Sequence, residues 1–168
     1  MSEMKHCMAC GAALTMRYHP DEETLVPFCE RCGDWRFPVF STAVSMVVVS
    51  PDREQYLLIR QYGRKTWILP AGYINLGEDA EPAVRREIRE ELGLEVRSLK
   101  FNRSHYFAPS NTLMLNFEAV AESTGVRPNR EVDDWRWFGE KEARENVRPD
   151  SLAQRFLEGY FTGVYPWE

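Results

Sequence analysis

A group of acidic side chains between Gly72 and Leu94 is the clearest candidate for chemistry in this chain. The group contains three glutamates, Glu87, Glu90 and Glu91. On a helix, which turns about 100° per residue, Glu91 lies roughly 40° to one side of Glu87 and Glu90 roughly 60° to the other. Carboxylates crowded in this way repel one another unless a cation lies among them. Hard oxygen ligands of this kind favour Mg²⁺ or Mn²⁺, ions that commonly act on phosphate groups.

The residues around these glutamates predict a short amphipathic helix. Its apolar stripe consists of Val84, Ile88 and Leu92. Such a stripe packs a helix onto a core. Gly93 is a natural C-terminal stop, and Pro82 is tolerated only in the first turn. We therefore expect the helix to begin near Asp79 or Ala80.

The whole segment, from Gly72 to Leu94, reads G-x5-E-x7-R-E-I-R-E-E-L-G-L. A glutamate-rich helix taken alone is usually a solvated surface. This set of identities at this spacing, however, is expected by chance in roughly one chain in ten million. The segment resembles the signature of the Nudix hydrolases at every specified position. That family comprises metal-dependent enzymes that cut a nucleoside diphosphate linked to another group.

The predicted catalytic and Mg²⁺ or Mn²⁺ sites follow from the residues and from this resemblance. Glu87, Glu90 and Glu91 are the predicted metal ligands. Arg86 reaches Glu90 at i+4, and with Glu78 it is expected to orient the loop and the helix. We group Glu78, Arg86 and Glu90 as catalytic, and which glutamate acts as the general base stays open.

Two further metal ligands are implied by the resemblance. One is the main-chain carbonyl of Ala71, just before the signature glycine. The other is a carboxylate from a late loop, for which Glu131 is the best positional match. Asp133 or Asp134 could take the same role, and Glu131 could instead be a solvated loop acid.

The cysteines form a second candidate metal site near the N-terminus. All four fall in two C-x2-C pairs, Cys7 with Cys10 and Cys29 with Cys32. This spacing is typical of a structural zinc site with four thiolates. The alternative is a pair of disulfides, which a reducing compartment disfavours. We expect a zinc ribbon at residues 1–36, with a short strand at 25–28.

The remainder, residues 37–168, predicts a mixture of strands and helices. The predicted strands cover residues 43–50, 55–60, 67–72, 95–106, 113–121 and 135–138. A second amphipathic helix is predicted at 151–160, with Ser151 as its N-cap. Mixed strands with two main helices fit an α/β/α sandwich with a mixed sheet, which the Nudix resemblance also implies.

The bulk properties exclude several classes of protein. The net charge of −5 over 168 residues argues against general binding to nucleic acid or to membrane surfaces. No apolar run reaches the length of a membrane span, and residues 1–6 lack a signal-peptide core. We expect a cytoplasmic protein with a small nucleotide substrate.

The sequence indicates the type of reaction more narrowly than it indicates the substrate. A zinc ribbon ahead of such a domain resembles the NADH pyrophosphatase and ADP-ribose pyrophosphatase group, some of whose members remove NAD caps from RNA. The resemblance also implies a possible homodimer. The group's specificity motif, S-Q-P-W-P-F-P-x-S, is shortened here to residues 104–110 and lacks the tryptophan and the glutamine. Given the net charge of −5, nucleic acid is an unlikely partner, except for a capped RNA end.

Three aromatic residues are candidates for stacking on a base. Tyr73 follows the signature glycine, and Tyr106 and Phe107 lie in the shortened motif. Stacking contributes about 1–3 kcal/mol per base. Core packing is the alternative for each of them.

Three functions are compatible with these patterns. The first is hydrolysis of the pyrophosphate bond of a dinucleotide such as NADH, ADP-ribose or FAD. The second is nucleotide sensing without catalysis, which commonly goes with loss of signature carboxylates. The third is a house-cleaning pyrophosphohydrolase of nucleoside triphosphates. The complete signature and the zinc ribbon favour the first.

Overall fold

A computed structural model of the protein describes residues 4–165. The chain divides into two compact units, Met1–Ser41 with Ala108–Asn111 and Thr42–Phe107 with Thr112–Glu168. The predicted ribbon, residues 1–36, falls within the first unit. The outer ends of both predicted domains, residues 1–3 and 166–168, lie outside the described residues.

The first unit is built on a small antiparallel sheet. Its strands are β1 (Thr15–His19), β2 (Thr24–Cys29) and β3 (Asp34–Trp35), in the order β1-β2-β3. The predicted strand at 25–28 is confirmed within β2. The sequence did not indicate β1 or β3, which are short and largely exposed.

The second unit contains a six-stranded sheet and three helices. The strands follow the order β7-β8-β4-β5-β9, and β6 pairs with β4. The strands are β4 (Ser41–Val49), β5 (Gln55–Gln61), β6 (Ala71–Tyr73), β7 (Val96–Phe107), β8 (Thr112–Ala121) and β9 (Val132–Gly139). The helices are α1 (Ala80–Leu92), α2 (Glu140–Asn146) and α3 (Leu152–Thr162).

The central strand β4 explains why helices cover both faces of this sheet. Successive side chains of a strand point to opposite faces. Val44 and Met46 therefore join a core with Ile88 of α1, whereas Val47 joins a second core with Phe156 of α3. The predicted α/β/α sandwich is confirmed.

Helix α1 has the bounds that the sequence predicted. It begins at Ala80, which places Pro82 in the first turn, and it ends at Gly93 with φ 64°. A left-handed residue at this position ends a helix and suits glycine. The apolar stripe of Val84, Ile88 and Leu92 is fully buried.

Two elements of the second unit differ from the sequence prediction. Helix α2 was not predicted, because its sequence EKEAREN buries only Ala143 and therefore has no apolar periodicity. The predicted strand at 67–72 is confined to β6 at its C-terminal end. Ile68 forms only an isolated bridge to Ile59, and Pro70 has no N–H to continue the pairing.

No helix within residues 4–165 combines the length and the apolar character needed to cross a membrane.

A buried glutamate fastens α3 to the sheet. Glu118 on β8 accepts two hydrogen bonds from Arg53, at 3.0 and 3.2 Å, and one from the Tyr160 hydroxyl at 2.7 Å. Burial alone would raise the pKa of Glu118, but these hydrogen bonds bring it below its ordinary value. The ionised carboxylate therefore stabilises the folded state.

Replacing Tyr160 by Phe tests this contact. We expect Tyr160→Phe to lower the free energy of unfolding by about 1.5–3 kcal/mol at pH 7, because it removes a hydrogen bond to a charged group. The folded-state pKa is depressed, so this stabilisation is present above the unfolded value near 4.3 and is lost as pH falls through the folded pKa. In urea denaturation, the difference in the free energy of unfolding between the wild type and Tyr160→Phe should be smaller at pH 3 than at pH 7. Tyr18→Phe, at an exposed position, is the control; equal effects of both variants would contradict this account.

Candidate functional site

The turn before α1 holds Glu87 against the backbone. Gly72 pairs with Val44 of β4, which fixes its position. A Cβ at Gly72 would lie 2.0 Å from the carboxyl carbon of Glu87 and 2.3 Å from each carboxyl oxygen. Only glycine leaves room for this carboxylate. The glycine of the signature therefore allows the Glu87 carboxylate to lie against the backbone of β6.

Arg86 holds the signature together. Its Nε and Nη2 donate to the two carboxyl oxygens of Glu78, at 2.7 and 2.8 Å, and Nη2 also donates to the Tyr73 carbonyl at 3.0 Å. Its Nη1 donates to Glu87 at 2.7 Å and to Glu90 at 3.2 Å. The hydrogen bonds from Arg86 lower the pKa of Glu78 to about 2. One cation thus ties the loop to two predicted metal ligands.

Glu91 is the buried member of the group. It is 5% exposed, its Oε1 accepts a hydrogen bond from Gln61 Nε2 at 3.1 Å, and its Oε2 has no partner among the described residues. The pKa of Glu91 is raised to about 7, chiefly by burial; the Gln61 hydrogen bond opposes the rise, and the charges of Glu87, Glu131 and Glu90 add to it. A buried carboxylate oxygen without a partner is costly unless a cation or a donor satisfies it.

The late loop brings Glu131 towards these glutamates. Its charge is one of the causes that raise the pKa of Glu91. The Tyr62 hydroxyl group donates a hydrogen bond to Oε2 of Glu131, with an oxygen–oxygen distance of 3.1 Å. The two other acids considered for this role are otherwise engaged. Asp133 accepts from the Gly63 N–H at 2.6 Å, and Asp134 pairs with Arg60 at 3.2 Å.

The predicted metal ligands do not all converge on one point. Within residues 4–165, no three carboxylates or histidines place their ligand atoms within 4.8 Å of one another. Arg86 draws Glu87 and Glu90 towards its guanidinium, and the Glu90 side chain is 57% exposed, whereas Glu91 turns towards Gln61. The donor set nevertheless fits a hard divalent cation, because it is all oxygen and one buried oxygen lacks a partner.

A pocket of about 350 Å³ begins beside the signature turn. We call it the α3 pocket, because the first residues of α3 form one wall. Its other walls include Ala71, Phe107 and Met114. A smaller pocket of about 210 Å³, the Gln61 pocket, is lined by Gln61 and Tyr62 and shares Arg64, Ile68 and Arg148 with the first. Volumes of this size suit a nucleoside-sized ligand.

The three candidate stacking residues lie in different places. Phe107 lines the α3 pocket. Tyr73 and Tyr106 do not line it; Tyr73 is 61% exposed at the end of β6, and Tyr106 is 39% exposed on β7. Met114 packs against the core that contains Phe156 of α3, and it also lines the pocket.

The four cysteines converge in the first unit. Their sulfurs all lie within 4.8 Å of one another, with Cys7 and Cys32 at 3.9 Å and Cys10 and Cys29 at 3.6 Å, and no disulfide joins them. A tetrahedral zinc with bonds of about 2.3 Å requires sulfurs about 3.8 Å apart. Arg36 donates to Cys7 at 3.2 Å and lowers its pKa to about 6, which favours the thiolate that zinc binds.

Comparison with known proteins agrees with this geometry. A NUDIX domain match spans residues 39–156. The chain belongs to the NUDIX family. The match includes the signature, Glu131 and the start of α3.

Curated relatives match most of the length of this chain. The NAD-capped RNA hydrolase NudC of Pseudomonas aeruginosa is 32% identical over 164 residues, which are 96% of this chain and 56% of that protein. The protein of the same name from Vibrio parahaemolyticus is 27% identical over 159 residues, 92% of this chain and 58% of the relative. The chain therefore spans about half the length of these curated relatives.

Solved structures support the fold. A NUDIX hydrolase from Nitrosomonas europaea superposes with a TM-score of 0.63 at 21% identity, covering 96% of this chain and 95% of that one. The NUDIX domain of Shewanella oneidensis NrtR, solved in complex with ADP ribose, gives a TM-score of 0.60 at 16% identity, covering 80% and 94%.

Several residues of the site were not expected from the sequence. Gln61 and Tyr62 contact the predicted ligands Glu91 and Glu131, and Arg64 and Arg148 line both pockets. The Tyr-Gly pair at the end of β5 signals a turn. Only the pairing of β5 with β9, which has an irregularity between Arg60 and Gln61, brings that turn to Glu131.

Gly72→Ala tests the packing of the signature turn. The added Cβ would overlap the Glu87 carboxyl group, so we expect Mn²⁺ affinity, measured by electron paramagnetic resonance, to fall at least ~10-fold. The control is Gly139→Ala, because nothing lies within 4 Å of a Cβ there and its φ is −65°. Unchanged Mn²⁺ affinity in Gly72→Ala would contradict the assigned position of Glu87.

The cysteine cluster predicts the metal content of the protein. We expect about one zinc ion per chain by mass spectrometry, and thiols that react with a thiol reagent only after a chelator is added. Metal-free protein with four freely reacting thiols would show that the cluster is not a zinc site.

Proposed function

We propose that this chain hydrolyses the pyrophosphate bond of a nucleoside diphosphate derivative with the help of Mg²⁺ or Mn²⁺. The observation that carries the proposal is the buried oxygen of Glu91 that has no partner among the described residues, on a carboxylate whose other oxygen contacts Gln61. Gln61 lines the smaller pocket, which shares Arg64, Ile68 and Arg148 with the α3 pocket. Ala71 lines the α3 pocket and directly precedes the signature glycine. A diphosphate held at this point would lie within reach of the carboxylates.

Each candidate residue has a distinct part in this proposal. Glu87, Glu90, Glu91 and Glu131, with the Ala71 carbonyl, would hold the metal. When bound, a divalent cation neutralises phosphate charge and lowers the pKa of a water molecule. Glu78 and Arg86 keep the loop and the helix in register through their paired hydrogen bonds. Which of these glutamates accepts the proton of the attacking water stays open, and Glu90, whose side chain is 57% exposed, is one candidate.

We infer that the substrate is a dinucleotide such as NADH, ADP-ribose or FAD. The curated relatives are named NAD-capped RNA hydrolases, and one structural neighbour holds ADP ribose. Phe107 could stack on a base in the α3 pocket, whereas Tyr73 and Tyr106 would contact a ligand only outside it. A capped RNA end has the same linkage and remains within the proposal.

The ribbon would contribute stability and not chemistry. Four thiolates close the coordination shell of zinc, so no position is left for a substrate. We also propose a homodimer, which light scattering would test directly.

A substrate panel with a matched pair of variants tests the proposed activity. With Mg²⁺ or Mn²⁺, we expect NADH, ADP-ribose or FAD to be cleaved to two nucleoside or ribose monophosphates. Glu91→Gln should lower kcat/KM at least ~100-fold, because it removes a buried ligand. Glu54→Gln, at an exposed position outside the site, should leave it unchanged.

The outcomes of this panel are distinct. Full activity in Glu91→Gln would show that the metal site is wrongly assigned. Binding of ADP-ribose without cleavage would indicate a sensing module, and a preference for nucleoside triphosphates would indicate a house-cleaning enzyme.

A further inference from the structure

The lining of the α3 pocket has an excess of positively charged side chains. Three arginines, Arg64, Arg148 and Arg155, line it, against a single acid, Asp150. The chain as a whole has a net charge of −5. A concentration of arginines in an acidic protein indicates a ligand with negative charge.

These three arginines also differ from other arginines of the chain in their ion pairs. Arg86, Arg89 and Arg144 each form an ion pair with a glutamate. Within residues 4–165, the side chains of Arg64, Arg148 and Arg155 form no hydrogen bond or ion pair; Arg148 accepts a hydrogen bond from Ser151 only through its backbone carbonyl. Their guanidinium groups are therefore available to a ligand, and guanidinium matches phosphate in a two-point geometry.

The three arginines occupy two kinds of position. Arg64 and Arg148 line both the α3 pocket and the Gln61 pocket. Since Gln61 and Tyr62 contact Glu91 and Glu131, these two arginines lie between the predicted metal ligands and the α3 pocket. A substrate spanning the two pockets would pass its diphosphate between them.

Arg155 lines the α3 pocket alone. Phe107, the last residue of β7, lines the same pocket, so Arg155 and Phe107 border one ligand space. The charge of Arg155 is thus placed beside the part of the ligand that Phe107 would contact, and the diphosphate does not account for it.

We propose that the nucleoside in the α3 pocket carries a phosphate in addition to the diphosphate that is cut. Arg155 binds this further phosphate, and Arg64 and Arg148 bind the diphosphate. The substrate class is a nucleoside diphosphate derivative with a phosphorylated ribose, either as a phosphomonoester or as the phosphodiester of an attached RNA chain. The assignment rests on the proposed function for its diphosphate part only.

Binding of nucleotides that contain no pyrophosphate bond tests the assignment independently of hydrolysis. We expect adenosine 2′,5′-bisphosphate or adenosine 3′,5′-bisphosphate to bind at least ~10-fold more tightly than AMP in calorimetry. Arg155→Gln should reduce this preference to less than ~2-fold and leave AMP affinity unchanged. Arg31→Gln, an exposed arginine in the first unit that lines neither pocket, is the matched control and should behave as wild type.

Kinetics then identify the source of the phosphate. If it is a phosphomonoester, kcat/KM should favour NADPH over NADH, which differ by a 2′-phosphate. If the further phosphate is a phosphodiester, kcat/KM should instead favour a short NAD-capped oligoribonucleotide over NADH. In either case Arg155→Gln should reduce only the favoured reaction, whereas Arg64→Gln and Arg148→Gln should reduce all of them.

Two results would overturn the assignment: equal affinity for AMP and both bisphosphates, or equal loss of AMP and bisphosphate binding in Arg155→Gln. Tight bisphosphate binding without hydrolysis of any substrate would instead retain the phosphate assignment and refute the proposed catalytic function.

Discussion

The repulsion among crowded carboxylates is the constraint on which the site depends. Glu78, Glu87 and Glu90 all contact one guanidinium, that of Arg86. Charge-assisted hydrogen bonds of this kind are strong and directional, so Arg86 both offsets the repulsion and fixes the loop against α1. The same contacts require Gly72, because only a residue without a side chain admits the Glu87 carboxylate. The Arg86 guanidinium and Gly72 thus explain the positions of Glu78, Glu87 and Glu90 in the signature.

Glu91 lies outside the reach of that cation, and its environment is different. It is buried against the core, it has one amide donor in Gln61, and one of its oxygens has no partner within residues 4–165. A buried carboxylate of this kind does not favour stability, because an apolar residue would cost less. A divalent cation would resolve the difficulty. It would neutralise Glu91, satisfy the free oxygen and offset the repulsion from Glu87 and Glu131 at once.

The sequence predicted those features that depend on local spacing. The bounds of α1 followed from Pro82, Gly93 and the apolar stripe, and the two cysteine pairs indicated the ribbon. Features that depend on strand pairing were not accessible. The contact of Tyr62 with Glu131 requires the register of β5 with β9, and the pocket arginines come from two segments that are distant in the sequence, Arg64 from one and Arg148 and Arg155 from the other. Helix α2 escaped prediction because Ala143 alone anchors it.

The most direct measurement is the anomalous diffraction of Mn²⁺ bound to crystals of the protein. This account predicts a manganese peak about 2.1 Å from carboxylate oxygens of Glu87 and Glu91 and from the Ala71 carbonyl oxygen. The formerly unpartnered Oε2 of Glu91 should be among the ligands. A manganese ion bound elsewhere, or none near Glu91 at saturating Mn²⁺, would contradict the assignment of this site as a metal centre.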